Sequence, residues 1–244
     1  MTGSKVAVVT GGSRGIRRAV VERLAGDGVA AAVGYASSSE AARGVVARVR
    51  LADGSALAVC ADVADPEQVA ALFDQAELEF GGVDIVVTSA GIMRPALIAD
   101  ATDEDFTEHV EVNMRGTFNA LRQAAQRVRD GGCIVTLSST TLALNAPGYG
   151  VYNATKGAVE GFTKILAKEV GSRGVTVNAV APGPVETELF LAGKSASDVE
   201  RLAGLAPQHR IGQPADIADA VSLLVCPDAG WISGQVIRVN GGVA

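Results

Sequence analysis

Residues Thr10–Val20 read TGGSRGIRRAV, and this stretch decides the class of fold. It follows the apolar run Val6–Thr10, which is typical of a buried strand, and it leads into a helical pattern that extends to about Gly26. Glycines let the backbone turn tightly and approach a ligand, and the first turn of a helix offers free N–H groups to a phosphate. The stretch therefore predicts a phosphate-binding turn, although glycine-rich turns also serve as plain connections.

Strand and helix patterns alternate along the whole chain. The strands are near-continuously apolar, as a sheet buried on both faces requires. Such alternation predicts parallel strands joined by right-handed crossovers, with helices on both faces. We therefore predict a single α/β domain over residues 1–244, a three-layer sandwich around a mostly parallel, seven-stranded sheet. The predicted strands are Val6–Thr10, Val29–Tyr35, Ala56–Cys60, Val83–Thr88, Cys133–Ser138, Val175–Val180 and Gln235–Val239.

The helices between these strands carry their own signals. Asp65, Pro66 and Gln68 provide a capping side chain, a proline at the first helical position and an acceptor three residues after the cap. The longest predicted helix, Asp103–Arg129, has a charged face. The remaining predicted helices are the first one, which ends near Gly26, and Ser39–Leu51, Tyr152–Val170 and Ala215–Val225.

Composition narrows the classes of function. The 244 residues are 48% hydrophobic and 20% charged, so the chain can bury a sizeable core. A net charge of −6 argues against a nucleic-acid binder, which needs a basic face. Cys60, Cys133 and Cys226 lack metal-ligand spacing, so we expect reduced thiols and no metal. Without a signal peptide or an apolar run that spans a bilayer, we expect a cytoplasmic protein with no membrane contact.

Ligands of parallel sheets bind at the carboxyl ends of the strands, so the residues that follow each strand are site candidates. After the third strand, Asp62 either accepts a hydrogen bond from an adenine amino group or caps a helix, and Val63 follows it. After the fourth strand, the small residues Ser89-Ala90-Gly91 leave room for a ribose. Each of these signals is weak in isolation.

The strongest constellation follows the fifth strand. Ser139 ends that strand, and Tyr152 and Lys156 in YNATK are four residues apart, on one helix face. A free tyrosine has a pKa of about 10, and a neighbouring ammonium favours the phenolate, which predicts a lowered pKa for Tyr152. Ser139 can hydrogen-bond the same oxygen that Tyr152 protonates. Neither His109 nor His209 has a Ser/Asp pattern nearby, so no hydrolase triad is predicted.

A set of motifs in this order resembles one known family. They are TGGSRGI after the first strand, Asp62-Val63, the SAG triplet, Asn113 in VNMRGTF, Ser139, YNATK, APGPVET at Ala181–Thr187 and NGG near the end. Over essentially its full length the chain resembles the short-chain dehydrogenases/reductases, and most closely the 3-oxoacyl-carrier-protein reductases and related ketoreductases. The resemblance implies a Rossmann-type sheet and hydride transfer between a nicotinamide cofactor and a carbonyl or alcohol.

The resemblance also implies residue roles. Tyr152 is the expected general acid in reduction, and Lys156 is expected to bind the nicotinamide ribose and to lower the Tyr152 pKa. Ser139 is expected to polarise the substrate carbonyl, and Asn113 to hold a water in a proton relay to solvent. The cofactor-binding residues expected in total are Gly11, Ser13, Arg14, Gly15, Ile16, Tyr35, Ser37, Ser38, Asp62, Val63, Ala90, Gly91, Tyr152, Lys156, Pro182, Gly183, Val185 and Thr187.

The end of the second strand bears on the choice between NAD and NADP. Enzymes that prefer NAD commonly place an acidic residue there, whereas this chain has no carboxylate before Glu40. Arg14 can pair with a 2′-phosphate, and Ser37 and Ser38 can hydrogen-bond it. We therefore favour NADP(H) over NAD(H); the alternative is that Arg14 is a solvated surface arginine.

Two positions depart from the family pattern. Thr88-Ser89 stands where Asn-Asn is usual, and we expect an effect on stability more than on binding, because that segment contributes mainly backbone. Arg17 stands where TGxxxGxG ends in a glycine that permits close packing of helix and strand. An arginine there must bend away, displace the turn or lie along the phosphates. Because overpacking of a tight contact is destabilising, we predict that Arg17→Gly raises both cofactor affinity and melting temperature.

Arg17 in the glycine motif also leaves open an alternative to an active oxidoreductase. In that alternative the chain is a cofactor-binding protein with impaired or no catalysis.

The remaining expectations concern partners. The expected substrate is a small carbonyl compound or alcohol, such as a 3-oxoacyl thioester or another apolar ketone, and the segment of about 188–210 suits a flexible lid. Arg129 and Arg173 resemble, in placement, basic residues that dock an acyl carrier protein; ordinary surface arginines are the alternative. Helices Asp103–Arg129 and Tyr152–Val170 are expected to form the interface of a homo-oligomer, a tetramer rather than a dimer.

Overall fold

A computed structural model describes residues 4–244 and confirms the predicted α/β class. One seven-stranded sheet has the order β3-β2-β1-β4-β5-β6-β7, a Rossmann-type arrangement with its reversal between β1 and β4. Every strand pair is parallel, so the sheet is wholly rather than mostly parallel. The strands are β1 (Val6–Val9), β2 (Ala30–Tyr35), β3 (Ala56–Cys60), β4 (Val83–Thr88), β5 (Val128–Leu137), β6 (Thr176–Pro182) and β7 (Val236–Val239).

Helices connect successive strands, and most begin within two residues of their predicted positions. Short 3₁₀ turns occur at Gly171–Arg173 and Pro227–Ala229, and a π-helical turn occurs at Val110–Arg115. The α-helices are α1 (Gly15–Gly26), α2 (Ser39–Leu51), α3 (Pro66–Phe80), α4 (Asp103–His109), α5 (Gly116–Arg127), α6 (Thr141–Leu144), α7 (Gly150–Glu169), α8 (Glu188–Leu191), α9 (Ala196–Ala203) and α10 (Pro214–Val225).

Two apolar layers, one on each face of the sheet, form the core. Helices α1, α2 and α10 pack on one face against side chains such as Val9 and Val135. Helices α3, α5 and α7 pack on the other face against Val8 and Ile134. Val8 and Val9 are fully buried neighbours that enter opposite layers, because side chains alternate along a strand. Burying a side chain of this size stabilises the fold by about 1.5–3 kcal/mol.

The prediction of one continuous helix over Asp103–Arg129 is wrong. The segment forms α4, a π-helical turn and α5, and β5 then begins at Val128 rather than at Cys133, because Val128 already pairs with Val83. The π-helical turn places Asn113 against the loop after β4, where it bonds the backbone of Ile92. One extra residue in a turn changes the direction of the side chains, and such turns recur at functional sites.

The segment of about 188–210 is partly helical. It contains α8 and α9, and α9 begins with a reciprocal cap in which Ser195 Oγ accepts from the Asp198 N–H and Asp198 Oδ2 from the Ser195 N–H, both at 3.2 Å. Its role as a lid stays a prediction. Among residues 4–244, no helix is long and apolar enough to cross a membrane.

Candidate active site

The glycine-rich turn lies at the carboxyl end of β1, where the strand order reverses. Gly11 and Gly15 have φ angles of +67° and +53°, in the left-handed region that favours glycine. Helix α1 begins at Gly15, directly after Ser13 and Arg14, and no side chain of the described residues caps its N-terminus. Because its first N–H groups are left for a ligand, this turn fits a nucleotide phosphate.

A cavity beside the turn has the donor groups that a phosphorylated ribose needs. Two arginines that the sequence reasoning missed, Arg18 and Arg48, line it together with the predicted residues. Their signal was a run of arginines along the first two helices. Carboxylates border the same cavity, and Arg14 Nη1 lies 4.0 Å from Glu188 Oε2. The predicted residues in the lining are Ser13, Arg14, Gly15, Ser37, Ser38 and Thr187.

Four other predicted cofactor residues do not line this cavity: Ile16, Tyr35, Asp62 and Val63. Ile16 packs against the core, and Tyr35 ends β2 partly buried. Val63 is buried, and a Cβ at Gly116 would lie 2.5 Å from its Cγ2. Asp62 is exposed, and its Oδ1 accepts from the Ala64 N–H at 3.0 Å, while Asp65 caps α3. Asp62 is therefore not the helix cap.

The loop after β6 meets the glycine-rich turn. A Cβ at Gly15 would lie 3.2 Å from Thr187 Cγ2, and Thr187 Oγ1 caps α8 by accepting from the Phe190 N–H at 3.1 Å. Pro182 ends β6, and the Gly183 N–H donates to Val239 O at 3.0 Å. Val185 is buried against the core and bridges to Gly212. The segment that carries these predicted cofactor residues is thus fixed beside the phosphate-binding turn.

Tyr152 lies near the start of α7, with its hydroxyl beside Ser139 at the end of β5. Burial raises the pKa of Tyr152, and this effect exceeds the opposing effects of the Ser139 hydroxyl and the Arg17 charge. The prediction that a neighbouring lysine lowers this pKa is therefore wrong for the chain alone. The reason is that removal of the phenolate from water costs more than its neighbours return. The geometry holds Tyr152 as a neutral acid.

Lys156 follows one turn later on the same face of α7. Its Nζ lies 5.7 Å from the centre of the Tyr152 ring and donates to Leu137 O at 2.8 Å. Burial, and after it the charge of Arg17, lowers the pKa of Lys156 to about 8. The sequence prediction that Tyr152 and Lys156 share a helix face agrees with this arrangement.

Asn113 is completely buried between the loop after β4 and α7. Its Oδ1 accepts from the Ile92 N–H at 2.8 Å, and its Nδ2 donates to Ile92 O at 3.0 Å and to Thr155 Oγ1 at 3.2 Å. Thr155 directly precedes Lys156. Asn113 therefore ties the loop that follows β4 to the helix that carries Tyr152 and Lys156.

Two residues that the sequence reasoning missed hold Ser139 in place. Thr141 Oγ1 lies 2.9 Å from Ser139 Oγ and 2.6 Å from Asn153 Oδ1. Asn153 Nδ2 donates to Thr141 O at 3.0 Å. The available signal was the position of Asn153 inside YNATK, next to Tyr152.

Arg17 bends away from the helix–strand contact and enters the site. The turn keeps its left-handed glycines, and Arg17 Nη2 donates to Gly91 O at 2.7 Å. A Cβ at Gly11 would lie 3.0 Å from Ala90 Cα and 3.1 Å from Arg17 Nη1. Burial lowers the pKa of Arg17, and its charge acts on Tyr152. Of the three alternatives left by the sequence, the turn is not displaced, and the side chain lies beside Ala90-Gly91.

The departure at Thr88-Ser89 is absorbed by the first strand. Ser89 Oγ donates to Thr10 O at 2.7 Å, and Thr10 Oγ1 accepts from the N–H groups of Ser89 and Ala90 at 3.0 and 3.3 Å. Thr88 Oγ1 is buried without a hydrogen-bond partner among the described residues. The pairing of β4 with β1 is therefore kept. The departure costs stability at Thr88, whose buried hydroxyl has no hydrogen-bond partner among the described residues.

Other candidate residues have internal partners. His109 is buried, with Nδ1 against Asp105 O at 2.7 Å, so its contacts are structural. Arg129 donates to Gly81 O at 2.5 Å, and Arg173 donates to Ala125 O at 2.8 Å. These contacts tie the predicted docking arginines to their own chain. In the part of the chain that the structure describes, no group of three or more His, Cys, Asp or Glu residues could hold a metal ion.

Comparison with known proteins shows what this chain is similar to. The family model described as "Enoyl-(Acyl carrier protein) reductase" matches residues 11–244. A short-chain type dehydrogenase/reductase of Picea abies is 42% identical over 250 residues, which cover 98% of this chain and 92% of that protein. Versicolorin reductase of Emericella nidulans is 40% identical, with 98% and 95% coverage. A 3-oxoacyl-[acyl-carrier-protein] reductase of Staphylococcus aureus is 38% identical, with 98% of each chain covered.

Solved structures agree with these relatives. A short-chain dehydrogenase/reductase from Serratia marcescens superposes with a TM-score of 0.94 at 38% identity, and covers 99% of this chain and 98% of its own. A short-chain dehydrogenase from Burkholderia cenocepacia in complex with NADP has a TM-score of 0.93 at 36% identity, with the same coverage. Both match the chain over nearly its whole length.

Proposed function

The chain belongs to the short-chain dehydrogenase/reductase family of oxidoreductases, and from this premise we propose that it reduces a carbonyl to an alcohol, or catalyses the reverse, with NADP(H). The observation that carries the proposal is the convergence of Ser139, Tyr152 and Lys156 beside the glycine-rich turn. A general acid, a polarising hydroxyl and a buried cation are the groups that proton transfer to a carbonyl oxygen requires.

Each side chain has a part in the proposed reduction, for which a bound nicotinamide supplies the hydride. Tyr152, kept neutral by burial, donates its proton to the carbonyl oxygen. Ser139 hydrogen-bonds the same oxygen, in an orientation that Thr141 and Asn153 hold. Lys156 stabilises the phenolate that remains on Tyr152, because an adjacent ammonium favours the charged form.

Proton return to Tyr152 is assigned to Lys156 and to a water near Asn113. The Lys156 pKa of about 8 supports this role, because a group that titrates near working pH exchanges protons readily. Asn113 contributes by fixing the loop and the helix on either side of that path.

The cavity beside α1 supports NADP(H) rather than NAD(H). Arg14, Ser37 and Ser38 line it, and the guanidinium groups of Arg18 and Arg48 add charge that suits a 2′-phosphate. The Burkholderia cenocepacia relative holds NADP in its solved structure. We expect NADPH to bind more tightly than NADH, and the comparison of the two dissociation constants is the direct test.

The proposed substrate is an apolar ketone, with 3-oxoacyl thioesters as one class. Relatives named as 3-oxoacyl-[acyl-carrier-protein] and versicolorin reductases support thioesters and polycyclic aromatic ketones as probes. Phe190 and Leu202 are partly buried in α8 and α9, on the segment proposed as a lid. An acyl carrier protein stays a proposed partner, without Arg129 and Arg173 as its contacts, since both already bind their own chain.

One experiment separates catalysis from cofactor binding alone. NADPH is titrated by its fluorescence, and turnover is then measured with acyl-thioester, cyclic and aromatic ketones. Binding with turnover of at least one ketone class supports the proposal. Binding without turnover of any class favours the alternative of a non-catalytic cofactor-binding protein. The intact arrangement of Ser139 and Tyr152 argues against that alternative.

A further inference from the structure

One side chain bridges the crevice where the strand order reverses. Arg17 extends from the first turn of α1, and its Nη2 donates to Gly91 O at 2.7 Å in the loop after β4. Its Nη1 lies 3.1 Å from the position that a Cβ on Gly11 would take, in the turn after β1. The guanidinium therefore fills the space that the missing side chain of Gly11 leaves between the two loops.

A second cation lies at the same place. Lys156 Nζ is 3.7 Å from the position of a Cβ on Gly91, and it donates to Leu137 O. Both cations thus bind backbone carbonyls rather than carboxylates. The charge of Arg17 adds to burial in lowering the Lys156 pKa. Like charges at short range repel each other. The hydrogen bond to the uncharged Gly91 carbonyl therefore holds the Arg17 guanidinium in place despite repulsion from the Lys156 ammonium.

We propose that Arg17 is a latch that closes the cofactor crevice of the free protein. It swings out before a dinucleotide can extend to Tyr152 from the cavity beside α1, which we assign to the adenosine and call the adenosine cavity. The inference rests on the proposed function and deepens it. Ligands of such sheets cross the carboxyl edge at the strand-order reversal. A phosphate that approaches the backbone of Gly11 needs the volume that the guanidinium occupies.

The latch weakens binding of the whole dinucleotide but not of its adenosine end. To swing out, Arg17 must break its charge-assisted hydrogen bond to Gly91 O. The free energy of that lost bond weakens cofactor binding. We expect a weakening of about tenfold, from the net strength of one hydrogen bond to a charged group. Ser13, Ser37 and Ser38 in the adenosine cavity are unaffected, because the cavity lining does not include Arg17.

The test measures two ligands by titration calorimetry on four proteins, which are wild type, Arg17→Ala, Arg17→Gly and Arg43→Ala. NADPH spans the crevice, whereas adenosine 2′-monophosphate carries only the adenosine and 2′-phosphate. In Arg17→Ala, which removes the latch and keeps a good helix former, we expect NADPH to bind about tenfold more tightly and adenosine 2′-monophosphate to bind as in wild type. Arg43→Ala removes an equal charge from an exposed position of α2 and serves as the matched control, with both affinities unchanged.

The outcomes distinguish the latch from the proposed function. Tighter NADPH binding in Arg17→Ala and also in Arg17→Gly supports the latch. Unchanged or weaker NADPH binding in Arg17→Ala, with adenosine 2′-monophosphate still bound, overturns it; weaker binding would make Arg17 a ligand of the diphosphate. If both wild type and Arg17→Ala melt cooperatively and neither ligand binds either protein, the proposed use of NADP(H) is wrong, and the proposed latch is wrong with it.

Discussion

At the scale of single residues, the Tyr152 hydroxyl is under opposing influences. Burial in α7 favours the protonated phenol, whereas Ser139 and the charge of Arg17 favour the phenolate. Since burial has the larger effect, the free protein keeps Tyr152 as the protonated phenol, which is the form that a general acid needs.

Replacing Tyr152 with Phe keeps the ring packing and removes the proton donor. We expect carbonyl reduction to fall by about 10²–10⁴-fold, the usual contribution of a general acid. NADPH affinity, measured by fluorescence titration, should remain. A variant that kept most of the wild-type turnover would contradict the role given to Tyr152.

Lys156 gives the free protein a pH-dependent stability. Its pKa is about 8 in the fold, against about 10.4 in an unfolded chain. Between pH 8 and 10 the unfolded chain therefore binds more protons, and the Lys156 contribution to the free energy of unfolding rises with pH. Below pH 8 both states are protonated, so this contribution is flat.

The measurement is urea unfolding of wild type and Lys156→Met at pH 7, 8, 9 and 10. The rise that Lys156 causes should be missing from the variant, so the stability difference between the two proteins changes across this range. Lys164→Met, at an exposed position of the same helix, controls for the substitution itself. Parallel curves for wild type and Lys156→Met would rule out the lowered pKa.

At the scale of elements, the π-helical turn between α4 and α5 does what a regular helix would not. It places Asn113 where one side chain bonds both backbone groups of Ile92 and the hydroxyl of Thr155. A single side-chain amide therefore joins the loop after β4 to helix α7. Removal of that amide takes a partner from both part-buried backbone groups of Ile92 and from the buried hydroxyl of Thr155.

Asn113→Ala and Asn119→Ala form a matched pair. Asn119 is a buried asparagine of α5 whose Nδ2 donates to Val63 O at 2.9 Å, away from α7. Both variants should lose about 1–3 kcal/mol in the free energy of unfolding, because each leaves a buried polar group unpaired. Only Asn113→Ala should also lower kcat and shift the pH profile. Equal kinetic effects in the two would reduce Asn113 to a structural residue.

The helices and strands also show which parts of the fold and of the site could be predicted from the sequence. Strands such as β2 and β4 are predicted to within one residue, since glycine precedes each apolar run and small residues, serine and alanine, follow it. The break within Asp103–Arg129 is not encoded locally, because it depends on bonds from Asn113 to a loop far along the chain. The direction of Arg17 is likewise set by the carbonyl of Gly91, in the loop after β4. Spacing alone places Tyr152 and Lys156, but burial, which only the fold determines, sets their pKa values.

At the scale of the whole molecule, apolar side chains lie on the outer faces of α5 and α7. Phe118 is 45% exposed and stands 6.2 Å, centre to centre, from the ring of Phe162, and Ile165 on α7 is 57% exposed. Met114 extends this face at the π-helical turn. A contiguous exposed apolar face on helices is typical of an interface between subunits.

We predict a closed, symmetric homo-oligomer in which these helices pair across a two-fold axis, a tetramer rather than a dimer. Light scattering at micromolar concentration measures the mass directly. Phe118→Glu should reduce the mass, since a buried unpaired carboxylate opposes association. Arg43→Ala on α2 should leave it unchanged. A monomeric wild-type protein would contradict the proposed interface.

The single tryptophan of the chain, Trp231, lies fully exposed just before β7. Indole emission shifts to shorter wavelengths when water is removed from the ring, so this residue is an optical reporter of one edge of the sheet. A blue shift with rising protein concentration would place that edge inside the assembly, and constant emission would leave it outside. Without any label, a dilution series read in a fluorimeter therefore shows whether subunits meet at this edge.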